Sequence, residues 1–76
     1  MKYVMFEAGG LEYPVLFPDF IKHNDIRQSI GHEVISAGFV SVGSDGNLTA
    51  YGESVSLGKK SRPEDSKILN KAKERM

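Results

Sequence analysis

The side chains able to do chemistry are few and scattered. His23 and His32 are the only histidines, with Asp25 and Glu33 close by in sequence. They stand nine residues apart at the two ends of a short helical segment, and no H-x-x-x-H spacing occurs. A metal site needs ligands that converge, so both are expected to be exposed polar residues at helix ends, with no metal bound. Serines are plentiful, including Ser36, Ser41, Ser44, Ser54, Ser56, Ser61 and Ser66, yet none sits in a G-x-S-x-G elbow. Gly43-Ser44-Asp45 and Gly52-Glu53-Ser54 read as turn chemistry. There is no cysteine, hence no thiolate nucleophile, thiolate metal site or disulfide. Gly43-x-x-Gly46 lies in a hairpin turn and feeds no helix, so it lacks the geometry of a phosphate-cradling loop. The expectation is a non-enzymatic protein with no catalytic residue and no cofactor.

The one constellation with partner-binding content is basic. Lys59, Lys60, Arg62, Lys67, Lys71, Lys73 and Arg75 face only Glu64, Asp65 and Glu74 in the last stretch of the chain. Residues 1–57 are the reverse, with Lys2, Lys22 and Arg27 against Glu7, Glu12, Asp19, Asp25, Glu33, Asp45 and Glu53. The two stretches cancel to a net charge of zero. Two readings stay open: the tail docks on its own acidic body or is simply solvated, or it meets an anionic partner. Lys59, Lys60, Arg62, Lys67, Lys71 and Arg75 are the candidate anion-binding residues. The balanced total charge and the lack of interleaved aromatics argue against a dedicated nucleic-acid binder, so an accessory role on nucleic acid is the alternative function.

The elements that must position these groups follow from periodicity. Lys2 to Glu7 reads as a strand with Tyr3 and Met5 on one face and Val4 and Phe6 on the other. Gly9-Gly10 makes a turn, and Leu11 to Phe17 returns with Leu11, Tyr13, Val15 and Phe17 on one face. Pro14 has no N–H to donate, which places this strand at a sheet edge. Phe20 to Ile30 is a helical segment, either one helix or two short ones if Asn24 caps a second turn, and Gly31 ends it. A second hairpin turns at Gly43 to Asn47, around Asp45-Gly46. In its first strand Ile35, Ala37 and Phe39 share a face, and Val34, Val40 and Val42 share the other. Leu48 to Glu53 returns, with Thr49 and Tyr51 on one side. A basic helix over 62–76 closes the chain, opened by a Ser61…Glu64 capping box and carrying Ile68, Leu69, Ala72 and Met76 as its apolar stripe.

The 76 residues suffice for a single domain over 1–76. With 39% hydrophobic and 26% charged residues the chain is globular in composition. The expected fold is α+β: a four-stranded antiparallel sheet from two hairpins with two helices, in the order ββαββα, both helices on one face. No apolar run approaches the ~20 residues of a membrane span, and the opening residues meet acid and glycine too early for a signal peptide. Both sheet faces carry apolar residues, so a face is left over for a partner. Val34, Val40, Val42 and Tyr51 are the candidate partner-binding residues, with a homodimer expected through that face.

Val34 to Val40, then Gly52-Glu53-Ser54-Val55-Ser56-Leu57-Gly58 and Ser61-Arg62-Pro63-Glu64-Asp65, with Pro14 to Pro18 upstream, form a pattern covering most of the chain. It resembles small uncharacterised proteins of bacteriophages and proteobacterial prophages. The resemblance implies a phage or mobile-element origin and a cytoplasmic setting in the host cell, and it supplies no catalytic residues. The leading expectation is a protein-interaction module that binds a host or phage protein.

Overall fold

A computed structural model describes residues 1–74 of the chain. Arg75 and Met76, assigned above to the anion-binding set and the apolar stripe, lie outside the described residues. The elements are β1 (Lys2–Ala8), β2 (Leu11–Phe17), α1 (His23–Ile30), β3 (Glu33–Val42), β4 (Leu48–Tyr51), β5 (Glu53–Ser54), β6 (Lys59–Lys60) and α2 (Asp65–Glu74). The first four strands form an antiparallel sheet in the order β2-β1-β3-β4, so the α+β architecture of two hairpins and two helices holds. A two-stranded ribbon, β5 with β6, is added between the second hairpin and α2.

Turn chemistry sets the register. Gly9 and Gly10 both adopt positive φ, at 59° and 81°, as a two-residue type I′ turn requires. Such a turn makes Ala8 and Leu11 a bonded pair, and alternation then leaves positions 12, 14 and 16 pointing away from β1. Pro14 therefore falls where its missing N–H costs no ladder bond, and β2 is indeed an edge strand. α1 is a single helix starting at His23, so the separate turn at Asn24 does not form; Asn24 Oδ1 instead accepts a bond from Arg27 Nε at 3.1 Å.

The helices do not share a face. α2 packs Leu69 and Ile68 on the side formed by Tyr3, Met5 and Val40. Ile26 of α1, with Ile21 and Leu57, covers the opposite side, formed by Val4, Phe6, Phe17 and Ala37. The apolar patterning of both faces of β1 is thus satisfied within one chain. The expected grouping on β3 also changes. Met5 pairs with Ser36 while Phe6 pairs with Val34, which leaves Ile35 as an extra residue in a bulge. The bulge turns Val34 toward α1 and Ile35 toward α2, so Val34 parts from Val40, and Ile35 from Ala37.

Gly38 marks the closest approach in the sheet. A Cβ there would lie 2.5 Å from the Tyr51 carbonyl oxygen and 3.2 Å from that of Gly52. Both are backbone atoms that cannot swing aside. Gly38→Ala is expected to destabilise the protein by about 1–3 kcal/mol. Urea unfolding followed by circular dichroism checks this, with the loss read as a lower midpoint at unchanged slope.

Candidate functional site

A buried polar cluster holds α2 to the sheet. The Asp65 side chain is fully buried and lies at the start of α2. Its Oδ2 accepts from the Tyr3 hydroxyl at 2.6 Å and from the backbone N–H of Arg62 at 3.0 Å. Its Oδ1 accepts from Arg62 Nε at 2.9 Å and lies 2.8 Å from Nη2. The same guanidinium reaches Glu12 of β2 at 2.8 Å. Ser36 of β3 adds a buried hydroxyl to the cluster, without a bond of good geometry among the described residues. The expected Ser61…Glu64 capping box is displaced by one residue: Asp65, not Glu64, reaches back to a free N–H, that of Arg62. Four elements, β1, β2, β3 and α2, meet here.

Electrostatics fixes the protonation of this cluster. Burial works against the Asp65 charge, but the hydroxyls of Ser36 and Tyr3, then the Arg62 N–H and guanidinium, outweigh it and hold the carboxyl below its ordinary value. The Tyr3 phenol is pushed up, first by burial and then by the neighbouring carboxylate. Arg62 is raised, chiefly by its bond to Glu12. The cluster therefore carries a fixed charge at neutral pH and is built to hold rather than to exchange protons.

The basic residues do not form one anion surface. Arg62 is engaged with Asp65, Glu12 and Glu64. Lys73, at the far end of α2, donates to the Gly46 carbonyl at 2.7 Å in the second hairpin turn. Both contacts support the reading in which the tail docks on its own body. Lys60 stands across from Glu53 in the ribbon, while Lys59 stands across from Ser54. Lys67 and Lys71 are exposed on α2. α2 also closes the β4 edge: Asn70 Oδ1 accepts the Leu48 N–H at 2.8 Å, Asn70 Nδ2 donates to the Leu48 carbonyl at 2.9 Å, and Ser66 Oγ accepts the Ala50 N–H at 2.9 Å.

The histidines have separate fates. His23, expected to be exposed, is buried, because Phe17 and Phe39 meet its ring edge-on at centroid distances of 5.4 and 5.7 Å. Its Nε2 donates to the Gly38 carbonyl at 2.9 Å. His32 is exposed and bonded through Nδ1 to the Tyr13 hydroxyl. Among the described residues no group of three His, Cys, Asp or Glu side chains is placed to hold a metal ion. No described helix is long and apolar enough to cross a membrane.

The candidate partner-binding residues are dispersed. Val40 is buried under α2 and Val34 is packed on the α1 side. Val42 and Tyr51 are exposed, at 60% and 51%, but on opposite faces. Tyr51 lies across from Phe39, with ring centroids 5.8 Å apart. Next along the hairpin on the same side come Ser41 and Thr49, paired and exposed. α1 and the ribbon cover β1 and the first half of β3, so these four residues form an open remainder of the sheet face. Phe39 and its partnership with Tyr51 could have been found by counting outward from the Asp45-Gly46 turn. Tyr3 and Asp65, by contrast, are 62 residues apart and give no local signal.

Compared with known protein families, with curated proteins and with solved structures, the chain finds no match.

The Asp65 carboxyl is depressed in the folded state, so the unfolded chain takes up its proton first as pH falls. The stability this linkage supplies is present above the ordinary carboxylate value of about 4 and is lost as pH drops through the folded value. Asp65→Asn is expected to destabilise the protein by about 2–4 kcal/mol at pH 7. It should also flatten the acid limb of the stability curve, measured by urea unfolding between pH 7 and pH 3.

Proposed function

We propose that this chain is a non-enzymatic protein-interaction module of the small phage or prophage type its sequence resembles, working in the host cytoplasm. Its interaction surface is the open β3–β4 patch, and its first partner is a second copy of itself. The observation that carries the reading is Tyr51, half-exposed against Phe39 on a part of the α1-side sheet face that the described residues leave open. Aromatic rings at a surface supply much contact area for little side-chain entropy. Phe39, Ser41, Thr49 and Tyr51 carry no charge, so two copies can meet without desolvating ions or opposing like charges. A two-fold arrangement would set each Tyr51 against the partner's patch. The cysteine-free composition suits a reducing compartment.

The alternative, nucleic-acid binding by α2, has less behind it, because Arg62 and Lys73 are already bonded to the chain's own groups. Size-exclusion chromatography with light scattering separates the two. The wild type should be a dimer and Tyr51→Lys a folded monomer, while Lys67→Glu leaves the dimer intact. A wild type that stays monomeric over the whole concentration range overturns the reading, as does a Tyr51→Lys variant that still dimerises.

A further inference from the structure

Arg27, His32 and Lys59 come from three separate segments, the last turn of α1, the α1–β3 connection and β6, and they line one cleft of about 410 Å³. Val34 and Leu57 form its apolar wall, and Ser56 and Glu33 complete it. The volume lies within the roughly 300–1,000 Å³ of small-molecule sites. Among the described residues no ion pair joins Arg27 or Lys59 to a carboxylate, although Glu33 lines the same cleft. A cation in the last turn of α1 suits the helix dipole, which explains Arg27 alone. It does not account for Lys59, which reaches the same cleft from β6.

The third donor is held in place from behind. The Tyr13 ring stacks on buried Phe6 at 5.6 Å, with 26° between planes, and its hydroxyl meets His32 Nδ1. With the phenol donating to Nδ1, a neutral imidazole keeps its proton on Nε2, so that nitrogen is the ring's free donor. A guanidinium fork, an ammonium and an oriented N–H together match the oxygens of a phosphate group. The cleft is larger than a phosphate ion, and its remaining groups are an apolar wall, one hydroxyl and one carboxylate.

We propose that this cleft binds a small phosphate monoester, with the phosphate on Arg27, Lys59 and His32, the carbon chain against Val34 and Leu57, and a ligand hydroxyl or ammonium on Glu33. The site is separate from the β3–β4 patch and does not depend on the oligomeric reading. The test is an NMR titration of the full chain with phosphoethanolamine, glycerol phosphate and inorganic phosphate. Saturable amide shifts are expected at residues 27–34 and 56–59, with phosphoethanolamine and glycerol phosphate binding more tightly than inorganic phosphate. Arg27→Gln and Lys59→Gln should each weaken binding about tenfold, and both are surface changes that leave the amide spectrum of the fold intact. Lys67→Gln on α2 should change nothing. Shifts that never saturate, or that weaken equally in Lys67→Gln, would mean unspecific attraction to surface charge and would overturn the proposal. Equal binding of all three compounds would overturn its monoester part.

Discussion

A buried carboxylate is costly unless every lone pair has a partner, and Asp65 meets that condition with groups from several parts of the chain. Tyr3 comes from the central strand, Arg62 from the segment before α2, and Glu12 joins through Arg62 from the edge strand. The linkage fixes where α2 begins and at what height it crosses the sheet. With that end set, Leu69 drops onto Tyr3, Met5 and Val40, and Ser66 and Asn70 fall beside the outward groups of β4. Lys73 then reaches the turn between β3 and β4. A helix whose own sequence is half charged is thus located by one acid at its first turn.

The consequence for function is a redistribution of surface. α2 takes one sheet face and one sheet edge, and Pro14 interrupts the other edge. α1 and the β5–β6 ribbon take most of the second face. An added strand finds little free backbone to pair with, and the side-chain surfaces left open include the uncharged Phe39–Tyr51 patch and the cleft lined by Arg27, His32 and Lys59. Of the basic residues near the end of the chain, Arg62 and Lys73 serve the protein's own body, while Lys67 and Lys71 stay exposed on α2.

Local signals were enough for the hairpins. Gly9-Gly10 and Asp45-Gly46 mark their turns, period-two patterning sorts Tyr3 and Met5 from Val4 and Phe6, and Pro14 identifies the edge. What escaped was whatever depends on distant contacts. The bulge at Ile35 carries no glycine to announce it, yet it exchanges the faces of Val34 and Ile35. His23 is buried because Phe17 and Phe39 arrive from two different strands. Ser61 and Glu64 have the spacing of a cap, but the Tyr3 hydroxyl and the Arg62 guanidinium hold the next acid, Asp65, in the interior instead. The two-sided apolar pattern was legible and its meaning was not: the number of covered faces depends on which side each helix connection crosses.

The Tyr3–Asp65 contact acts as one unit in holding α2 to the sheet. A double-mutant cycle of Tyr3→Phe and Asp65→Asn, with unfolding free energies at pH 7, tests it most directly. The two losses should not add, with a coupling of about 1 kcal/mol or more. Additive losses, within about 0.3 kcal/mol, would contradict it.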